Sequence, residues 1–81
     1  MHITVRLFAS QRENLGQAAI DADLPDGVTA AEALARLSAE HPELRAPAGS
    51  IAFAVNRELA TPDTPLRDGD ELALLPPVAG G

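Results

Sequence analysis

Thr29-Ala-Ala-Glu32 opens the one segment of this sequence in which side chains mark both the start and the stop of a helix. It matches the S/T-x-x-E capping box, where the threonine accepts from the backbone N–H of Glu32 and the glutamate reaches back to the N–H of Thr29. Behind it Ala30, Ala33, Leu34 and Leu37 recur on one face. Pro42 pushes the residue before it out of the α region, so the helix covers about residues 30–40. The other apolar runs have a period of two, the period of a strand. In residues 2–8, Ile3, Val5 and Leu7 share one face and Thr4, Arg6 and Phe8 the other. Residues 17–24 repeat the pattern more weakly through Ala18, Ile20, Ala22 and Leu24. Ile51, Phe53 and Val55 alternate with Ala52 and Ala54, Asn56-Arg57 turns the chain into a short strand at 58–60, and Glu71–Leu75 ends the series with Leu72 and Leu74 inward. The polar run from Ser10 to Gly16, the proline-containing stretch 42–50 and the connector closing on Asp68-Gly69 read as loops. A chain of 81 residues has room for one core. One helix covers only one face of such a sheet, so the expected fold is a two-layer α+β domain with its first and last strands paired in the middle.

Composition narrows the function. With 12 acidic residues against six arginines the net charge is −6, a balance that argues against nucleic acid and against an anionic membrane surface. No apolar stretch approaches the roughly 18–20 residues needed to span a bilayer. No signal peptide is read at the start of the chain, and cysteine is absent, which excludes disulfides and thiolate sites and is compatible with the expected cytoplasmic location. All six basic residues are arginine, so the chain cannot carry lysine-linked copies of itself. His2 and His41 are far apart in sequence and read as solvated surface residues. Asp68, Asp70 and Glu71 are explained by a turn leading into a strand, without a metal. Ser10, Ser38 and Ser50 have no histidine placed by pattern to activate them. No catalytic constellation emerges, and the chain is not expected to be an enzyme on its own.

Three groups of residues carry a resemblance: Phe8-Ala9 with Arg12-Glu13, Ala54-Val55-Asn56, and the closing run PLRDGDELALLPPVAGG at residues 65–81. Together they make the whole chain resemble the MoaD family, the small sulfur-carrier subunits of molybdopterin synthase, which are related to the thiazole-pathway carrier ThiS. ThiS carriers tend to be shorter and to end in three glycines without Pro-Pro, so the longer 38–50 region and Pro76-Pro77 favour MoaD. The resemblance implies a ubiquitin-like β-grasp fold: a mixed sheet of about five strands with one main helix on one face, a domain over residues 1–75 and a tail over 76–81. Position 75, often aromatic in the family, is Leu75 here, so a contact made there is smaller.

The same resemblance implies the chemistry. A MoeB-like enzyme uses ATP to adenylate the Gly81 carboxylate, and a sulfur donor protein converts it to a thiocarboxylate. A MoaE-like large subunit, with which the chain forms a heterotetramer, receives the tail and passes the sulfur to cyclic pyranopterin monophosphate. No stably bound cofactor is expected. The residues suit this role. Gly80 and Gly81 lack Cβ atoms and can thread a narrow channel. Val78 and Ala79 are small, and Pro76-Pro77 stiffen the base of the tail in an extended form. The alternative for Gly80-Gly81 is a functionless frayed end. Since first and last strands are neighbours in this fold, alternation puts Phe8 and Leu75 together near the tail's exit, on an apolar, flat outer face with Ala52, Ala54 and Ala73. Such a patch marks a partner interface. Leu59 joins it by family position. Arg12 is either an ion-pair donor in that interface or a solvated loop arginine, and the alternative place for Phe8 is the sheet edge as minor core. Two other functions stay open: a ubiquitin-like modifier conjugated to protein lysines, and a sulfur carrier for another pathway such as thiazole synthesis or tRNA thiolation.

Overall fold

The computed structural model describes residues 1–44 and 50–76. Among them the elements run β1 (His2–Arg6), α1 (Ala9–Leu15), β2 (Ala19–Asp23), α2 (Ala30–Glu40), β3 (Ala52–Val55), β4 (Glu58–Ala60) and β5 (Glu71–Leu75), with a 3₁₀ turn at Pro42–Leu44. The strands form one mixed sheet in the order β2-β1-β5-β3-β4. β1 pairs parallel with β5, and the other pairs are antiparallel. A parallel pair cannot be joined by a tight turn. Here the connection between β1 and β5 contains every other element.

Alternation decides the two faces. Val5 lies beside Leu72, Leu72 beside Val55, and Leu74 beside Phe53. These residues point to α2, whose buried stripe is Ala30, Ala33 and Leu37. The two alanines are small and leave room for the large strand residues clustered with them in the core. Leu24, Val28, Leu44, Ile51 and Leu66 close the rim of the same core.

The start of α2 shows why its boundaries are sharp. The first N–H groups of a helix have no partner inside it. Thr29 Oγ1 accepts from the N–H of Glu32 at 3.2 Å, and the Thr29 N–H donates to Glu32 Oε1 at 3.0 Å. The Ala30 and Ala31 N–H groups donate to the carbonyls of Thr64 and Pro62 at 2.9 and 3.0 Å. The connector between β4 and β5 thus acts as a second cap for the helix.

Two expectations are corrected. The run from Ser10 to Gly16, expected as a loop, is mostly α1, which ends on Gly16 in the left-handed region (φ 70°) with its N–H on the Arg12 carbonyl at 2.9 Å. Its pattern is hidden because one of the residues turned inward is polar: Gln11 is only 4% exposed, and Leu15, one turn later, packs at the core's margin. Its N-cap, Phe8, offers no side-chain cap. The start of the 42–50 stretch is likewise a 3₁₀ turn, and it buries Leu44.

Thr29→Ala removes one half of the capping box and should lower stability by about 1 kcal/mol. The Glu32 carboxyl is held below its ordinary value, chiefly by the Thr29 backbone N–H. Its stabilisation is therefore complete above the ordinary value of 4.5 and is lost as pH falls through the lowered folded value. Urea denaturation should show the Glu32→Gln deficit shrinking as pH falls below 4.5; a deficit of unchanged size at pH 3 would mean that the Glu32 charge contributes nothing to the cap.

Candidate functional site

Among the described residues no helix lies on the sheet face opposite α2 at β5, β3 and β4, and register shows what occupies it. Ala54 is paired with Ala73 on one side and with Leu59 on the other, Ala52 with Leu75, Arg6 with Ala73, and Thr4 with Glu71. Directly paired residues project to the same side. Phe8 follows β1 with extended backbone (φ −136°, ψ 157°), so the alternation of the strand carries through it and its ring falls on the side of Arg6. Ala9 then takes φ 52°, a region L-residues seldom occupy, and turns the chain away into α1.

These residues enclose a concavity of about 310 Å³. Ala54 and Ala73 form its floor, Phe8 and Leu75 its apolar wall, and Arg6, Arg57 and Glu71 its polar wall. The floor alanines are only 8% exposed although no helix covers them, because the longer side chains around them stand above their methyls. Phe8 and Leu75 are thus brought together as alternation implied. The face is neither flat nor wholly apolar, which corrects the expectation. Leu59 shares the side of Ala54 on edge strand β4 and is 85% exposed. Arg12 sits on the exposed side of α1, not in a loop, and does not line the concavity. Ala52 is exposed beside Leu75. Pro76 follows Leu75 half-buried, and Pro77, Val78, Ala79, Gly80 and Gly81 lie outside the described residues.

The polar wall comes from residues whose role sequence reading missed. Asn56 and Arg57 both have positive φ, 51° and 71°, between the paired residues Val55 and Glu58. This is the two-residue hairpin whose twist matches that of its strands. Asn56 fastens the turn to β5: its Nδ2 donates to Asp70 Oδ1 at 3.0 Å, and its Oδ1 accepts from the Glu71 N–H at 3.0 Å. Arg57 is thereby held beside Glu71, with Nε–Oε1 at 3.8 Å, and Arg6 approaches the same carboxylate from β1 at 4.0 Å.

The other acids have local partners. Asp68 accepts from the His2 N–H at 2.6 Å, and Asp70 accepts from the Arg67 N–H at 2.8 Å. Among the described residues no group of three His, Asp or Glu side chains is placed to hold a metal ion. At the far end of the outer face the His2 ring stands between Asp23 (3.2 Å) and Asp21 (3.5 Å). The hydrogen bond to Asp23 is the largest cause raising its pKa above the ordinary 6.5. The stabilisation linked to this charge is full below 6.5 and is lost as pH rises through the raised value. An NMR titration of the His2 ring should give a midpoint above 6.5, which Asp23→Asn moves down; equal midpoints in the two proteins would contradict the assignment.

Comparison with known proteins agrees along the whole chain. A profile described as the ThiS family matches residues 5–81. The molybdopterin synthase sulfur carrier subunit of Chlamydomonas reinhardtii is 39% identical over 83 aligned residues that cover 100% of both chains. Among solved structures, small archaeal modifier protein 1 of Haloferax volcanii superposes with a TM-score of 0.83 at 32% identity, over 95% of this chain and 98% of that one. A chain in the Helicobacter pylori complex of subunits 1 and 2 of molybdopterin-converting factor matches with a TM-score of 0.67 at 32% identity, covering 100% of both.

Proposed function

The chain belongs to the ThiS family and has its ubiquitin-like β-grasp fold, and from that premise we propose that it is the sulfur carrier of molybdopterin synthesis, docking through the outer sheet face while its C-terminal glycine carries the sulfur. A carboxylate is a poor electrophile. A MoeB-like enzyme activates the Gly81 carboxylate with ATP as an acyl-adenylate, releasing pyrophosphate. Sulfide-level sulfur delivered by a donor protein displaces AMP and leaves a thiocarboxylate. A MoaE-like large subunit then receives the tail, and cyclic pyranopterin monophosphate takes the sulfur while water cleaves the acyl–sulfur bond and restores the Gly81 carboxylate. The carrier contributes no catalytic side chain; it positions the acyl group and is recognised.

One observation carries this reading: β5 forms the wall of the concavity at Leu75 and continues directly into Pro76 and the glycine-ended sequence. A partner that grips Phe8 and Leu75 therefore has its acceptor site within reach of the tail. Six residues span at most about 20 Å, so that site lies no further than this from Leu75. Full-length kinship with a protein named molybdopterin synthase sulfur carrier subunit and with a subunit of a two-subunit converting factor supports both the pathway and the large-subunit partner. Leu59 extends the docking surface along β4, and Arg12 stands to one side of it.

Kinship with a protein named a modifier favours a second reading, in which the same activated glycine is joined to lysines of other proteins. A denaturing blot of the native host separates the two, since conjugation predicts adducts of higher mass and sulfur carriage alone predicts none.

In a reconstituted synthase assay, deleting Gly81 or appending one residue after it should abolish molybdopterin formation and leave the thermal unfolding midpoint unchanged. Phe8→Ala should weaken binding to the large subunit by about tenfold or more, the loss associated with a well-packed aromatic anchor. Full activity of the extended protein would overturn the acyl-transfer reading.

A further inference from the structure

The polar wall of the concavity has a charge opposite to that of the chain. Arg6 and Arg57 stand against the single carboxylate of Glu71, which leaves one net positive charge at the rim of a protein whose total is −6. Both arginine–glutamate separations, 4.0 and 3.8 Å, exceed hydrogen-bond length. Among the described residues neither guanidinium donates a side-chain hydrogen bond to any other group. Among the described residues the guanidinium groups meet only the Glu71 carboxylate, and both line the open concavity. Asp70, which precedes Glu71, is already bonded to Asn56 and to the Arg67 N–H.

We propose that Arg6 and Arg57, sharing Glu71, form a receptor for a carboxylate on the docking partner, beside an apolar side chain of that partner seated over Ala54 and Ala73. The partner is a protein whose contact surface presents an apolar residue flanked by an acidic one. Bringing that carboxylate between the two guanidinium groups completes an alternating cluster of two cations and two anions and neutralises the rim as it leaves water. Charge complementarity of this kind acts on encounter and on partner choice more than on the packing that holds a complex together. The proposal rests on the reading that this face docks the large subunit, and it assigns the selectivity of that docking to Arg6 and Arg57, with Phe8 and Leu75 supplying the grip.

The test is stopped-flow association with the large molybdopterin synthase subunit encoded by the same genome, at low and high salt. Joint substitution R6Q and R57Q should slow association about tenfold at low ionic strength and flatten its salt dependence. Glu71→Gln, which releases both guanidinium groups, should speed association. Arg36→Gln on α2 removes a charge from the opposite layer and should leave rate and salt slope unchanged. Phe8→Ala should speed dissociation and keep the wild-type salt slope. If the double variant associates like R36Q while F8A still loses affinity, the carboxylate receptor is overturned and the docking face stands. If F8A also binds as wild type, or wild type does not bind, the docking face itself is overturned and the receptor with it.

Discussion

The parallel pairing of β1 with β5 places the first and last strands of the chain side by side at the centre of the sheet, and both the core and the docking face depend on it. Alternate residues of the same two strands serve the two purposes. Val5, Leu7, Leu72 and Leu74 are wholly buried on the α2 side, where truncating a leucine to alanine costs about 2–5 kcal/mol. Arg6, Phe8, Ala73 and Leu75 alternate with them on the other side and build the concavity. A one-residue slip between β1 and β5 would exchange the two sets and destroy both at once. The polypeptide leaves this central strand beside the concavity, so the face proposed for docking and the point at which the chain continues beyond Leu75 are fixed by one interaction.

The energetic scale of the outer face differs from that of the core. The long ion pairs of Glu71 with Arg6 and Arg57 are solvent-accessible, and pairs of that kind contribute about 0–1 kcal/mol to folding. They are too weak to explain the positive-φ hairpin that brings Arg57 to Glu71, a conformation residues other than glycine, asparagine and aspartate seldom adopt. Asn56 carries much of that conformation through its two side-chain hydrogen bonds to β5. What the arrangement secures is two guanidinium groups gathered around one carboxylate beside an apolar floor. Leu59, 85% exposed on edge strand β4, shares the side of Ala54 and would be covered by a partner laid over this face in the proposed docking.

Much of this was legible in the sequence because the relevant signals are local. The capping box and Pro42 defined α2 to its observed ends, the period-two runs located four strands, and the Asn56-Arg57 turn located the short β4. Alternation alone put Phe8 opposite Leu7 and Leu75 opposite Leu74, which is enough to place both on the outer side. What was missed arises where polarity masks burial or where distant residues meet. Gln11 turns inward on α1, so the helix showed no apolar stripe. The cationic rim joins residue 6 to 71 through a parallel register and 57 to 71 through a hairpin locked by Asn56. Neither meeting is written in a window of neighbouring residues, and the acidic total charge points the opposite way. Arg12, read as either an interface ion-pair donor or a solvated loop arginine, stands exposed on α1 and outside the lining of the concavity.

In the proposed role the outer face docks while the C-terminal glycine is converted to a thiocarboxylate. The most direct test is the intact mass of the protein after incubation with a MoeB-like adenylating enzyme, ATP and a sulfur donor. The expected result is a mass gain of one sulfur replacing one oxygen, located by fragmentation at Gly81 and dependent on ATP. An unchanged mass with an adenylating enzyme shown to be active on its own carrier, or a sulfur gained anywhere other than the terminal carboxyl, would contradict it.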